Sequence, residues 1–203
     1  EKLVAQQLSA YLASNKLLPR YQSGFRRHHS TESAILRVMA DVYSAIDSGK
    51  ISLLALLDVS AAFDTVDHDI LLERLRRSFG LSSSVLRWFE SFITNRRQSV
   101  RLGNSNSPSS ILRFGIPQGS VLGPILYVLY TADIAELVKS LGFGVHLYAD
   151  DTQLYGSCSA SDAGSLASSM LSAIADIQSW MSSNRLRLNQ DKTQFTWLGT
   201  RQQ

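Results

Sequence analysis

Cysteine is nearly absent from this chain of 203 residues: Cys158 is the only one. One thiol allows no internal disulfide framework and no multi-cysteine zinc site, so a reducing, intracellular setting is expected and a secreted one is not. Long apolar runs are missing too. No stretch approaches the ~20 residues that a membrane-crossing helix needs, so no membrane span is expected. The opening EKLVAQQLSAYLASNKLLP lacks the basic-then-apolar pattern of a secretory leader, and it lacks an initiator Met. The chain is therefore expected to be a piece of something longer. Charge of one sign is also scarce. A net charge of +3 is a mild basic bias, compatible with nucleic acid but not diagnostic of it. Apolar residues, at 44 % against 18 % charged, are plentiful enough to require a packed core and exclude a disordered chain.

Periodicity divides the chain into elements. Residues 2 to 16 carry Leu3, Val4, Leu8, Tyr11 and Leu12 at helical spacing, ending before Pro19. A loop-like stretch, YQSGFRRHHST, follows. Ser30 or Thr31 can cap a helix reaching about Ser48, and Gly49 is suited to end it. ISLLALLDVS, 51 to 60, reads as a buried strand. DHDILLERLRRSFG and SSSVLRWFESFITN read as two helices, and QSVRLGNSNSPSSILRFG as a hairpin around GNSNSPS. SVLGPILYVLYTADIAELVKSLG reads as one apolar helix, with Gly123 and Pro124 tolerated in its first turns. GVHLYADDTQLYG reads as two strands joined at the acids. SDAGSLASSMLSAIADIQSWMSSN is a last helix and TQFTWLG a last strand. No repeat and no linker-like segment is evident.

With the inserted pieces set aside, the order from residue 51 is strand, helix, strand, strand, helix, strand. That is the split β-α-β arrangement of an α/β (α+β) fold, an antiparallel sheet with helices on one face. In such a sheet the end of the first strand, Asp58, can lie beside the hairpin that carries Asp150 and Asp151. Gathered carboxylates repel and require a cation, and hard oxygen ligands suit Mg²⁺ or Mn²⁺. An ordinary hairpin turn also accounts for an Asp-Asp pair, because Asp is a good turn residue. The lone acid closing an apolar strand is what brings the metal reading level with it.

Five segments, in order and spacing, resemble reverse transcriptases. LYADD resembles their metal-binding motif. LLDVSAAFDTVDHDILLERL resembles their first catalytic motif, and GIPQGSVLGPILYVLY the nucleotide-and-template motif. LRLNQDKTQF is similar to the Lys-bearing motif that follows, and YQSGFRRHHSTESAIL to the upstream fingers segment. The likeness runs from about residue 20 to 200 and is nearest to LINE-type (non-LTR) retrotransposons. It implies a polymerase palm over 51–203, with inserted helices and a hairpin at about 69–114, and a partial fingers segment over 1–50, with no thumb. It further implies RNA-directed DNA synthesis: dNTPs added to a DNA primer 3′-OH on an RNA template by two-metal phosphoryl transfer. Thumb and endonuclease regions would belong to a longer polyprotein, and the expected location is nuclear.

The resemblance also assigns residues. Asp58 and Asp150 would hold both ions, with the Val59 carbonyl as a further ligand and Asp151 more peripheral. Phe63, five residues after Asp58, would lie under the nucleotide sugar and exclude a 2′-OH. Ala61 and Ala62 would admit backbone N–H groups to the triphosphate. In GIPQG, Gly115 and Gly119 would allow close backbone approach, and Gln118 would touch sugar or template. Arg26, in preference to Arg27, would meet the triphosphate, and Lys192 the leaving pyrophosphate. Plainer accounts stand beside these: Phe63 as core, GIPQG as a turn, Arg26 as a solvated loop residue, Lys192 as a surface residue. For His28, His29, His68, Asp64, Asp67 and Cys158 the plainer account is preferred, with Asp64 and Asp67 read as helix-start acids. Arg74, Arg76, Arg77, Arg96, Arg97, Arg101, Arg185 and Arg187 include candidates for backbone contacts. The competing function is a non-catalytic remnant that only binds nucleic acid or protein. An RNA-templated RNA polymerase is disfavoured by Phe63.

Overall fold

The computed structural model describes residues 1–200, which form two compact units. In chain order the elements are α1 (Lys2–Ser14), α2 (Thr31–Asp47), β1 (Ile51–Ser60), α3 (His68–Arg77) and α4 (Ser83–Ile93). The short strands β2 (Arg97–Gln98), β3 (Arg101–Leu102), β4 (Ser105–Asn106) and β5 (Ser110–Ile111) follow, then α5 (Gly123–Tyr130) and α6 (Ile134–Ser140). The chain closes with β6 (Gly144–Tyr148), β7 (Asp151–Cys158), α7 (Ala163–Ser183) and β8 (Arg187–Leu198). One unit contains residues 1–17 and 61–130. The other contains residues from 18 to 60 and from 131 onward. The palm range expected to reach residue 203 ends in three residues, 201–203, outside those described.

The second unit is built on a four-stranded antiparallel sheet in the order β6-β7-β1-β8. The apolar run of β1 is central, as a strand buried on one face and half-covered on the other should be. Leu53, Ala55 and Leu57 are buried, and they line the face that α7 covers. A side chain at Gly156, opposite Leu53, would meet Leu166 of α7. The helix turns Met170, Ala173, Ile174, Ile177 and Met181 inward, a helical stripe. On the other face α2 covers one end of the sheet: Val38 and Val42 pack with Tyr155, Leu54 and Leu198. A capping box at Ser30 starts α2, and Gly49 (φ +74) follows its end. The rest of that face, Leu56, Gln153, Asp58 and Asp151, is left uncovered by α2.

The first unit packs helices. Leu8 and Leu12 of α1 and Phe89 and Ile93 of α4 are buried, and the Tyr11 hydroxyl donates to the Phe79 carbonyl at 2.8 Å. Asp67 caps α3, accepting from the Asp69 and Ile70 N–H groups.

Three features differ from the sequence reading. The apolar stretch 120–142 is two helices, not one. The break at Thr131–Asp133 falls where the chain passes between units, and Thr and Asp are poor helix formers. The hairpin over 98–115 is two small ladders, β2–β5 and β3–β4, and the tight turn is Gly103–Asn104 alone. The last strand begins at Arg187, so all of LRLNQDKTQF but its first residue lies within it. Residues 1–50 are shared between the two compact units, 1–17 in one and 18–50 in the other. Residues 18–50 pack with the sheet because α2 covers it and Gln22 bridges in parallel to Leu147 of β6.

Candidate active site

The β6–β7 hairpin pairs Tyr148 with Asp151 across a two-residue turn, Ala149–Asp150. Tight hairpins favour positive φ at the turn, and Ala149 has φ +57. A residue with a Cβ pays ~1–2 kcal/mol for that conformation, so the turn needs outside support. It comes from Gln22, which is 2 % exposed. Its Oε1 accepts from the N–H groups of Ala149 (3.0 Å) and Gly24 (2.7 Å), and its Nε2 donates to the Ala149 carbonyl at 3.1 Å. Backbone bonds on either side, Leu147 N–H to the Tyr21 carbonyl and Ser23 N–H to the Leu147 carbonyl, lock the register. Gly24 is required because a Cβ there would fall 2.1 Å from the Ala149 nitrogen. Nothing in the local pattern of YQSG announces a bond to a turn so remote in the chain, and the sequence reading missed Gln22.

Asp58 lies two residues before the end of β1, and Asp151 opens its neighbour β7 just beyond the Leu57–Thr152 pair. Both line a cavity of about 290 Å³ with Leu56, Gln153, Lys192 and Gln194. Burial raises the Asp151 pKa above the usual carboxylate value. The charges of Asp150 and Asp58 add to that rise, and Lys192 offsets part of it. On the far side of β1 the β8 pairing slips: Leu56 faces Gln194, but Asp58 faces Asn189, so one residue of β1 meets residues 190–193 of β8. The Thr193 hydroxyl donates to the Asn189 carbonyl across this bulge at 3.0 Å. The irregular strand thereby delivers two partners to one carboxylate. Asn189 Nδ2 donates to Asp58 Oδ2 at 3.0 Å, and Lys192 Nζ stands 3.4 Å from the same oxygen. Asn189 was also missed. Its only signal is a polar LNQDK where alternation should continue. Among the described residues, no three His, Cys, Asp or Glu side chains are close enough together to hold a metal ion. The acids form an open, mutually repelling cluster rather than a closed cage.

The second unit thus brings Asp58, Asp150, Asp151 and Lys192 together. Val59 beside them is buried and pairs with Leu188. Arg26 lies in the same unit but is engaged elsewhere, donating from Nη1 to the Pro19 carbonyl (2.9 Å) and the Gln22 carbonyl (3.4 Å). It braces the loop that carries Gln22.

Ala61, Ala62, Phe63, Gln118 and Gly119 belong to the first unit. Ala61 has φ +49 and its carbonyl accepts from Asp64 and Thr65, a tight turn that buries Ala62. Phe63 is half-buried and stacks on Tyr127 with ring centroids 4.9 Å apart. Gln118 is exposed and donates to both oxygens of Asp64, at 3.2 and 3.3 Å, so Asp64 is a partner of Gln118 rather than a helix-start acid. Gly119 (φ +75) has open space around it, whereas the close approach at Gly115 is internal: a Cβ there would meet the Asp64 backbone at 2.9–3.1 Å. The Gly115 carbonyl accepts from His68 Nε2 (2.8 Å) and Arg96 Nη2 (2.7 Å). Arg96 is thereby tied to the loop, Arg76 and Arg77 pair with Glu73, and Arg74 donates to the Tyr130 carbonyl.

Comparison with known proteins bears on family and fold. The family described as Reverse transcriptase (RNA-dependent DNA polymerase) matches residues 1–202. The probable RNA-directed DNA polymerase from transposon BS of Drosophila melanogaster is 33 % identical over 202 residues, covering 95 % of this chain and 21 % of that protein. The RNA-directed DNA polymerase from mobile element jockey of the same species is 30 % identical, with the same two coverages. The chain therefore spans about a fifth of the length of these relatives. Among solved structures, apo telomerase from Candida tropicalis, truncated from its C-terminal domain, superposes with a TM-score of 0.70 at 15 % identity, over 97 % of this chain and 40 % of that one. The telomerase of Candida albicans with a fragment of telomeric RNA gives 0.65 at 18 % identity, over 96 % and 34 %. These structures share a mixed helix-and-strand, palm-like fold with this chain.

Two outcomes are expected. Gln22→Leu leaves buried Gly24 and half-buried Ala149 groups unpaired, at up to about 1–3 kcal/mol each. The urea midpoint should fall and amide exchange at residues 148–151 should accelerate, whereas Gln22→Glu, which keeps the acceptor, should fall less. The raised Asp151 pKa means that the folded state binds this proton more tightly than the unfolded one. Stability should therefore decline as pH rises from the ordinary carboxylate value through the raised one, and remain lower above it. Asp151→Asn should accordingly be more stable than the parent at neutral pH, with the gain vanishing in urea titrations below about pH 4.

Proposed function

The chain belongs to the reverse transcriptase family, in its LINE-type, non-LTR branch, and on that premise we propose that it is the RNA-directed DNA polymerase core of a longer protein, adding dNTPs to a DNA primer on an RNA template. The observation that carries the reading is the Asp58–Asp151 meeting on neighbouring strands, with Asp150 adjoining and Lys192 at their edge. The donor set fits a hard divalent cation: carboxylate oxygens that repel one another, with an ammonium already 3.4 Å from Asp58. Asp58 and Asp150 would hold two Mg²⁺ or Mn²⁺ ions with the Val59 carbonyl, and Asp151 would complete the shell. Such ions, when bound, lower the pKa of a hydroxyl nucleophile and stabilise charge on the leaving pyrophosphate.

The protein's own groups do the remaining work. Asn189 and the β8 bulge hold the Asp58 carboxylate in one orientation. Gln22 fixes the turn that presents Asp150. Lys192 is free enough, at 68 % side-chain exposure, to exchange Asp58 for a pyrophosphate oxygen and donate a proton or hydrogen bond to it. In the first unit the Phe63 ring, fixed against Tyr127, supplies a rigid surface that excludes a ribose 2′-OH. Gln118 and Gly119 serve sugar and template. Ala61 and Ala62 offer backbone to the triphosphate, and Arg26 meets the triphosphate if it exchanges its carbonyl partners for phosphate oxygens. Residues of the fingers and palm are the framework of this reading. A thumb and endonuclease elsewhere in the longer protein, and an intracellular, nuclear setting, belong to the same proposal.

Primer extension on an RNA template, with Mg²⁺ or Mn²⁺, tests it, using this chain and a longer protein that contains it. Asp150→Asn should reduce extension to background while the folded fraction is unchanged. Near-normal polymerisation by this variant would remove the catalytic assignment. Phe63→Val should raise ribonucleotide incorporation relative to deoxynucleotide by about tenfold, the scale on which one small steric group discriminates. Equal losses with both nucleotides would make Phe63 a core residue and not a gate.

A further inference from the structure

The second unit carries a basic cavity away from its carboxylates. It has a volume of about 270 Å³ and lies beside β6, against the start of α2. His146 lines it while only 6 % exposed, its Nε2 2.9 Å from the Ser23 hydroxyl. Burial, with the charges of Arg37 and His29, lowers the His146 pKa. Arg20, Arg37, His28 and His29 line the rest, and no carboxylate lines the cavity. Among the described residues neither Arg20 nor Arg37 has an ion-pair partner. Lys139, also without one, flanks the Tyr21 ring at 5.4 Å to its centroid, and Arg20 lies 5.8 Å from the same centroid. The neighbouring acid Asp41 is engaged by the Tyr155 hydroxyl at 2.5 Å. A concavity with two guanidinium groups and no carboxylate in its wall favours an anion, and the guanidinium forks with hydroxyl and imidazole groups suit a tetrahedral oxyanion.

The sheet register gives the direction in which that anion lies. His146 pairs with Gln153, and Gln153 with Leu56, so these three share one face of the sheet with Asp58 and Asp151. Asp58 is two strands across and two residues along from His146, a distance of about 12 Å at ~4.8 Å per strand and ~3.3 Å per residue. A triphosphate seated on the carboxylates keeps its phosphates next to them. A separation of about 12 Å corresponds to three or four steps of a stacked strand, at ~3.4 Å per phosphate.

We propose that this cavity binds one backbone phosphate of the RNA template, a few nucleotides from the reacting position, with Arg20 and Arg37 as the anionic group's ligands and Ser23 and His146 as its floor. The assignment of the strand rests on the polymerase reading above. Template binding through this cavity would fix the strand's path along the open face of the sheet.

Fluorescence anisotropy of a labelled single-stranded RNA over a salt series tests this without requiring polymerisation. The double variant Arg20→Gln, Arg37→Gln should bind about tenfold more weakly and lose about 0.7 from the slope of log affinity against log salt, the value for one phosphate of a single strand. Arg77→Gln, whose residue pairs with Glu73 in the other unit, should leave the slope unchanged. Competition with inorganic phosphate and with a deoxynucleoside triphosphate separates the possible sources of the anion. Unchanged RNA affinity and slope in the double variant would overturn the proposal. So would a selective loss of triphosphate binding, which would give the cavity to the nucleotide. RNA binding that depends on these arginines, in a longer protein that contains this chain and extends no primer, would uphold this site and sink the catalytic reading.

Discussion

Neighbouring strands of a sheet stand ~4.8 Å apart, so acids at the adjoining ends of β1 and β7 cannot escape each other's charge. Much of the second unit acts to hold that unfavourable meeting in place. The buried side of β1, with Leu53, Ala55 and Leu57 under α7, anchors the strand that carries Asp58. The slipped pairing of β8 brings Asn189 and Lys192 to one side of the same carboxylate. Gln22 holds the opposite edge, where Ala149 adopts a conformation that it would not keep alone. A cluster destabilised by its own charge, yet braced from three sides, is the arrangement expected where charge is needed for chemistry rather than for folding.

Much of this was legible in the sequence because it is governed by local pattern. The apolar run of β1, the alternation on either side of Asp150 and Asp151, the Ser30 cap and the helical stripe of α7 each announce themselves within a dozen residues. The strand–helix–strand–strand–helix–strand order then leads to the observed sheet, β6-β7-β1-β8. What was not legible depends on contacts between distant segments. The break at Thr131–Asp133 is hidden because apolar residues continue on both sides of it, and the chain changes unit there. The early start of β8 is hidden because its bulge disrupts the alternation by which a strand is recognised. A buried glutamine cannot be told from a solvated one until the group it bonds is known.

Basic residues show the same limit more sharply. In the sequence Arg26, Arg74, Arg76, Arg77 and Arg96 all look available to phosphate. In the fold each has a protein partner: Pro19 and Gln22 carbonyls for Arg26, Tyr130 for Arg74, Glu73 for Arg76 and Arg77, and Gly115 for Arg96. Arg20 and Arg37, which no motif singled out, line the basic cavity instead. Charge counted along a sequence is therefore a poor guide to charge available to a ligand. The separation depends on which carbonyls and carboxylates the fold brings within reach.

The sheet's connectivity also governs how the protein acquires its shape. The β6–β7 hairpin is local and can close within microseconds. Pairing β1 with β7 joins residues on the order of 100 positions apart, and such loop closures are slow because chain entropy is lost before contacts compensate for it. The hairpin acids therefore meet Asp58 only when β1 docks, late in assembly. Until then their mutual repulsion is relieved by water, so the electrostatic penalty falls on the finished sheet and not on the species that lead to it. The hairpin edge that awaits β1 is exposed during that interval. A chain of this topology is thus most vulnerable to mispairing with another copy before its site is complete, which makes nascent-chain concentration a determinant of its yield.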